Sequence, residues 1–174
     1  ETRATNVDEL KAATMGGATI GEKLLEMVAK IGEQIDINRF ESIQAATVIP
    51  YIHAGYRIGV LVGMNHAANE NIIAVGKDVA MQIAAMNPIA VDADSVPAET
   101  LEREKNIAIA QVMAEGKPAE MAEKIAAGKV NKFFKESTLL QQAFVKDNNK
   151  SVGDYLKSVD ADLKVDSFKR IALG

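Results

Sequence analysis

Two long helical patterns separated by only two residues constrain this chain more than any other feature. The first pattern covers residues 97–115 and the second covers 118–134. Glycine suits the end of one helix and proline suits the first turn of the next, so Gly116-Lys117-Pro118 predicts a sharp break. Helices joined by so short a link must lie antiparallel. We therefore predict a helical hairpin over 97–137, with charged residues covering its outer faces.

Large apolar side chains at helical spacing are expected to form the contact between these two helices. They are Leu101, Ile107, Ile109, Val112, Met113, Met121, Ile125, Val130, Phe133 and Phe134. Five methionines also fall at helical spacing, and we interpret them as core or helix–helix packing residues. These are Met27, Met81, Met86, Met113 and Met121.

Extended segments before and after the hairpin predict a sheet. Apolar and polar residues alternate at the start of 34–46, which we interpret as a long strand with a bulge near Arg39. The chain continues in extended form over 47–52, where Pro50 suits an edge position. A short loop containing Gly55 then leads into the next strand, so the two extended segments form a β-hairpin.

The strand after this loop covers 57–64, and its continuous apolar run predicts burial on both faces. The tail over 161–173 also has strand character. Residues 138–150 show no periodicity and are expected to form a loop.

Capping signals mark the remaining helices. Asn6 and Glu9 are spaced as a capping box for a short helix, and Thr19 and Glu22 begin a longer helix that Gly32 ends. Two more helices are predicted, one over 69–85 ended by Asn87-Pro88 and one that begins after Ser151.

Strands clustered early in the chain, with one returning at the end, predict an α+β fold with a small antiparallel sheet and flanking helices. We divide the chain into a core segment over 1–96, the helical module over 97–137 and a return to the core over 138–174. The first residue is Glu1 rather than Met, and we expect the chain to be a fragment or a product of processing.

Composition and motifs exclude several classes of function. The chain has no cysteine, which excludes disulfides, thiolate zinc sites and a cysteine nucleophile. No apolar run reaches the ~20 residues that span a bilayer, and a net charge of −4 argues against broad binding to nucleic acid. Sequence patterns of zinc proteases, serine hydrolases and P-loop proteins are absent. The acidic residues Asp92, Asp94 and Glu99 lack the spacing of a calcium loop, and we predict neither a metal nor a cofactor.

His53 is the one polar side chain whose position suggests a use. It lies at the tip of the predicted β-hairpin beside Tyr51, Tyr56 and Arg57, which are residue types favoured at interfaces. The alternative is an ordinary surface histidine. These residues favour a binding module over an enzyme. A small hydrolase that uses His53 with Asp36 or Glu41 is the weakest interpretation, because no nucleophile is placed beside the imidazole.

Five segments, taken together, resemble successive blocks of bacterial translation elongation factor Ts. They read VAKIGEQIDINRF, YIHAGYRIGVLV, KDVAMQIAAMNP, EGKPAEMAEKIAAGKVNKFFKESTLLQQAFVKD and SVGDYLK. They stand in the family's order and cover about residues 18–170. The resemblance implies a three-stranded antiparallel sheet with flanking helices, formed by strands at 34–46, 56–64 and 161–172. It also implies a protruding helical hairpin, the dimerisation or coiled-coil module.

The resemblance also implies a function. Members of this cytoplasmic family are guanine-nucleotide exchange factors that bind elongation factor Tu, both GDP-bound and nucleotide-free, and promote GDP release during protein biosynthesis. Ile31 and Gly32 match family residues that touch the nucleotide-binding domain of Tu, and His53 matches a histidine that reaches another Tu domain. No catalytic residue, cofactor, nucleic acid or membrane is implied. A self-association module, in which the helical hairpin forms a homodimer, is the alternative.

One departure from the family bears on activity. Full-length members carry an N-terminal three-helix module and a Thr-Asp-Phe motif that wedges beside the magnesium site of Tu. That triplet occurs nowhere in this sequence, and the N-terminal module is missing from it. We therefore expect this chain alone to bind Tu weakly and to exchange nucleotide poorly.

Overall fold

The computed structural model describes residues 3–116 and 118–173, so Glu1 and the central residue of the predicted break, Lys117, lie outside the described residues. The chain divides into two units, residues 1–42 and residues 43–174. The division into core, helical module and return segment stays a prediction.

The first unit contains two helices and a short β-ladder. Helix α1 spans Val7–Ala12, strands β1 (Thr14–Met15) and β2 (Ala18–Thr19) pair antiparallel, and helix α2 spans Ile20–Ile31. The predicted capping box of α2 is confirmed: the Thr19 hydroxyl accepts from the Glu22 amide at 3.1 Å, and the Glu22 carboxylate accepts from the Thr19 amide at 2.7 Å. Hydrogen bonds from Thr19 hold the pKa of Glu22 below its usual value.

The predicted strand over 34–46 is wrong. The structure has no regular strand there, and the first strand of the sheet begins at Thr47 instead. An alternating pattern becomes a strand only where a neighbouring strand completes its hydrogen bonds, which a pattern alone does not reveal. Local bonds also satisfy this segment, because the Asp36 carboxylate accepts from the amide of Ile37 and pairs with Lys11.

The second unit is built on the predicted three-stranded antiparallel sheet. Its strands are β3 (Thr47–Ile52), β4 (Ile58–Met64) and β7 (Val165–Ala172), in the spatial order β3-β4-β7. The middle position of β4 explains its continuous apolar run. Pro50 pairs with Leu61 from the edge strand β3, as predicted.

Helix α3 (Glu70–Met86) packs on this sheet. Its buried residues include Ile72, Val75, Val79 and Ile83, which share one apolar cluster with Ile49, Val60 and Val62 of the strands. Gly76 lies where α3 meets β3, since an added Cβ would overlap the side chain of Ile49. The helix ends at Asn87, which adopts the left-handed conformation at φ 47°.

The predicted helical hairpin is confirmed as α4 (Ala98–Ala114) and α5 (Ala119–Ser137), with Gly116 at φ 77°. Lys129 on α5 hydrogen-bonds to Gln111 and Glu115 near the end of α4, as antiparallel helices require.

The expectation for the contact between the two helices is confirmed in part: Val112 is buried, and six others are partly buried, namely Leu101, Ile109, Ile125, Val130, Phe133 and Phe134. Among the described side chains of the hairpin helices, the fully buried ones are Ala108, Val112, Ala122 and Ala126, whereas Ile107, Met113 and Met121 are exposed. Three of these four buried residues are alanines, whose small side chains fit where two helices pack together. The prediction of packed methionines is wrong for four of the five, because Met27 and Met86 are also about half exposed, while Met81 is partly buried.

The predicted loop over 138–150 contains regular structure. A single 3₁₀ turn spans Leu139–Gln141, and β5 (Ala143–Phe144) pairs antiparallel with β6 (Asp147–Ser151). Contacts distant in sequence hold this short hairpin, since Phe144 is buried against the core. Helix α6 (Val152–Val159) follows, with Ser151 as its cap as predicted.

Candidate functional site

The turn between β3 and β4 presents His53 at the tip of the hairpin. The amide of His53 donates to the Ile58 carbonyl at 2.9 Å, and the Tyr56 amide donates to the His53 carbonyl at 3.1 Å. Gly55 and Tyr56 both have positive φ angles, 86° and 56°. Tyr56 is 85% exposed and held in the left-handed region, so the turn displays an aromatic ring to solvent.

One ring nitrogen of His53 is engaged and the other is open. Its Nδ1 lies 3.1 Å from the hydroxyl oxygen of Tyr51, and the two ring centroids are 6.0 Å apart. Among the described residues, no atom hydrogen-bonds to Nε2 of His53. Tyr51 therefore orients the imidazole and leaves Nε2 available to a partner molecule.

The other two predicted site residues are adjacent at the end of α2. Ile31 is the last residue of the helix and is 54% exposed. Gly32 follows at φ 78°, and its amide donates to the Val28 carbonyl at 2.9 Å. A side chain at position 32 would be strained in this left-handed conformation, so glycine ends the helix without covering Ile31.

The same helix borders an open groove of about 770 Å³. Leu24, Leu25 and Val28 line it from α2, and Ile35 and Asp36 line it from the segment that follows. Leu25 is 70% exposed. The Lys11 ammonium beside Asp36 lowers the pKa of that carboxyl, which is then charged near pH 7. The groove thus combines an apolar wall with a charged rim, which is a composition typical of binding surfaces.

The three predicted site residues belong to different units. Ile31 and Gly32 belong to the first unit, and His53 belongs to the second. Their role as site residues stays a prediction, and the sequence did not indicate that Leu25 and Met27 are exposed on the same helix as Ile31. Helical periodicity assigns apolar residues to a buried face, so exposure on this helix has no signal in the pattern.

Comparison with known proteins bears on the whole chain. A family model described as Elongation factor TS matches residues 1–174. The chain belongs to the elongation factor Ts family. Relatives named elongation factor Ts include those of Amoebophilus asiaticus, 47% identical over 168 residues, and Cytophaga hutchinsonii, 43% identical over 172 residues. The relative from Flavobacterium psychrophilum is 45% identical over 169 residues. The family is that of a translation elongation factor, as the resemblance implied.

The matches to these elongation factor Ts relatives cover most of this chain but only part of each relative. The matches include 97–98% of this chain but only 61–62% of each relative's length. The chain therefore spans about three fifths of the curated relatives that it matches.

The residues named in the hydrolase interpretation each have a hydrogen-bonding or ionic partner in this elongation factor Ts chain. The bond to the His53 ring comes from the Tyr51 hydroxyl, while Asp36 pairs with Lys11 and Glu41 pairs with Arg39. Within residues 3–116 and 118–173, no three histidines or acidic residues are grouped to hold a metal ion. None of the described helices is long and apolar enough to cross a membrane.

Proposed function

We propose that this chain carries part of the surface with which a guanine-nucleotide exchange factor binds elongation factor Tu in the cytoplasm. Membership of the elongation factor Ts family supports the partner. The observation that carries the site is Ile31, a large apolar side chain left 54% exposed at a helix end. Fully burying an exposed side chain of this size is worth roughly 1.5–3 kcal/mol, so covering the exposed half of Ile31 against a partner stabilises a complex by about 1 kcal/mol.

The proposed action is contact rather than bond-making. Exchange requires that the factor bind nucleotide-free Tu more tightly than GDP-bound Tu, because only differential affinity shifts the equilibrium. Ile31 supplies an exposed apolar side chain, and Gly32, which has no side chain, lets the partner approach the backbone beside it. His53 supplies a ring nitrogen that can form a hydrogen bond. The Thr-Asp-Phe triplet that the resemblance implies for exchange does not occur in this sequence. The 174-residue chain alone therefore binds Tu weakly and accelerates GDP release poorly.

Titration calorimetry with elongation factor Tu tests the binding surface. We expect Ile31→Ala to weaken binding about fivefold, since the contact is worth roughly 1 kcal/mol. Ile89→Ala is the matched control, because Ile89 is 48% exposed and lies outside the proposed site. No binding by the wild-type chain, or equal loss in the two variants, would contradict the proposal.

Release of a fluorescent GDP from Tu tests the exchange step separately. We expect the wild-type chain to accelerate release far less than a full-length family member. His53→Ala is expected to weaken Tu binding without changing the fold, because the Nε2 of His53 has no partner among the described residues. Acceleration equal to that of a full-length factor would show that the missing triplet is not required.

Self-association through the helical hairpin is a second candidate function. Ile107, Met113 and Met121 are 44%, 56% and 53% exposed on the hairpin, where a second copy of the chain would cover them. Light scattering across a range of concentrations distinguishes the two candidates. A stable dimer that ignores Tu favours self-association, and a concentration-independent monomer that binds Tu favours the exchange factor.

A further inference from the structure

Two glutamines form a buried polar pair at the base of the helical hairpin. Gln82 on α3 is fully buried and Gln142, just after the 3₁₀ turn, is 2% exposed. The Nε2 of Gln82 donates to the Oε1 of Gln142 at 3.1 Å. The Nε2 of Gln142 in turn donates to the carbonyl of Glu136, in the last turn of α5, at 2.9 Å. We call this pair the amide relay.

Backbone groups at both ends fix the direction of the amide relay. At one end the Val145 amide donates to the Oε1 of Gln82 at 2.8 Å, and at the other the Glu136 carbonyl accepts from Gln142. A backbone N–H only donates and a carbonyl only accepts, so reversing the two side-chain amides would oppose like groups at both ends. Only one arrangement satisfies the relay.

The amide relay connects elements that the backbone bonds at the hairpin base do not connect. Those bonds join the chain entering the hairpin to the chain leaving it, as in Ile89 to Ser137 and Leu139 to Ala90, both at 2.9 Å. The relay instead joins α5 to α3, and Gln142 adds a longer bond of 3.5 Å to the Met86 carbonyl at the end of α3.

Apolar contacts at the base, such as that of the buried Leu139, are non-directional and tolerate rotation of the hairpin, and the backbone bonds named above hold it only to the segment that follows α3. Hydrogen bonds have strict angular requirements, and a buried amide left without its partner is costly. We propose that Gln142, acting through Gln82, is the positioning residue that fixes the direction in which the α4–α5 hairpin leaves the core. Surfaces carried on the hairpin are then presented to any partner in one orientation.

Distance measurement between spin labels tests this positioning role. The chain contains no cysteine, so Lys77→Cys on α3 and Lys124→Cys on α5 give two exposed labelling sites without further changes. Pulsed electron paramagnetic resonance then reports the distribution of distances between core and hairpin. In Gln142→Met, we expect the distribution of distances to be about twofold broader than in the wild-type chain. The variant loses the directional hydrogen bonds that hold α5 to α3, so the hairpin can rotate about its base.

Gln141→Met is the matched control, because Gln141 is exposed and adjacent in sequence. We expect it to keep the wild-type width. Gln82→Met leaves the bond from Gln142 to Glu136 in place and is expected to broaden the distribution less than Gln142→Met. A folded Gln142→Met protein with the wild-type width would overturn the proposal.

Gln142→Glu provides a readout that loss of packing alone would not give, and it remains decisive if Gln142→Met does not fold. A charged carboxylate at this position repels the Glu136 carbonyl, whereas a protonated carboxyl donates to it. We expect the distribution to be broad near neutral pH and to narrow as the pH is lowered. A width that does not change with pH would overturn the proposal.

Discussion

Helices α2 and α3 are alike at their ends and opposite in what they bury. Each begins at a side-chain cap, Thr19 and Asn69, and each ends in a left-handed residue, Gly32 and Asn87. Helix α3 nevertheless buries eight residues, while α2 buries none. Both sequences are amphipathic, so periodicity does not separate them.

The difference shows how one pattern serves two purposes. The apolar residues of α3 fill the space above the sheet and stabilise the fold. Those of α2, with Leu25 at 70% and Ile31 at 54% exposure, remain accessible to another molecule. We expect exposed apolar groups beside an open groove to belong to an interaction surface rather than to a core.

The largest expected effect contrasts one residue from each helix. Ile83→Ala should lower the free energy of unfolding by roughly 2–5 kcal/mol, because it empties a fully buried position on α3. Leu25→Ala on α2 should change it by less than about 0.5 kcal/mol, since the side chain is mostly in water already. Urea unfolding of both variants measures the contrast. Similar losses would mean that α2 stabilises the fold as α3 does.

A second contrast uses glycine. Gly76→Ala should lower the free energy of unfolding by about 1–3 kcal/mol, because the new methyl group overlaps Ile49 of β3. Gly128→Ala on α5 should raise it by about 0.5–1 kcal/mol, since its Cβ would meet nothing within 4 Å. Thermal unfolding compares the two. Equal effects would show that α3 has room to shift away from the sheet.

The N-terminal cap should contribute measurably to the stability of α2, because burial of its side chains contributes little. Thr19→Ala removes the side-chain half of the capping box and should cost about 1 kcal/mol of helix stability. Amide hydrogen exchange along α2 is the measurement, with Thr14→Ala outside the helix as the control. Unchanged exchange in the first turn of α2 would contradict the expectation.

The smallest expected effect concerns Tyr155, whose hydroxyl donates to Asp78 on α3 at 3.0 Å. Burial, followed by the hydrogen bond and the charge of Asp78, raises the pKa of Tyr155 to about 12 from 10.0. The folded state therefore keeps the proton longer than the unfolded state does. The stability that this contributes is complete below about pH 10 and is lost as the pH rises through about 12.

Between these pH values, the free energy of unfolding should fall less steeply with rising pH in Tyr155→Phe than in the wild-type chain. The tyrosinate absorbance of the wild-type chain, minus that of the variant, reports the ionisation directly. Identical slopes would exclude Tyr155 as the source.

Local signals in the sequence placed most helices within a residue or two. The caps at Asn6, Thr19 and Ser151 are each predicted from a hydroxyl or amide side chain at the start of a helical pattern, and the structure confirms their bonds. Such bonds join residues three apart, so the sequence contains both partners. The candidate site followed mainly from family resemblance, and its physical role stays a prediction.

The errors lie where partners are distant in sequence. The alternation in 34–46 met no neighbouring strand, and the short β5–β6 hairpin had no periodicity to announce it. In the helical hairpin, Ala108, Ala122 and Ala126 are buried. Which residues lie between two packed helices depends on the side chains of both helices. The spacing of residues three or four apart does not indicate which strands pair or which side chains lie between packed helices.

The sequence by itself determined the helix ends, the antiparallel hairpin, the central strand and the family. Each depends on residues close together along the chain or on the order of whole segments. Only the tertiary structure decided which apolar faces are covered, and it left Ile31 exposed while burying Ile83. It also joined Gln82 to Gln142 across 60 positions. Burial and directional hydrogen bonds depend on which elements meet in space, and no local pattern contains that information.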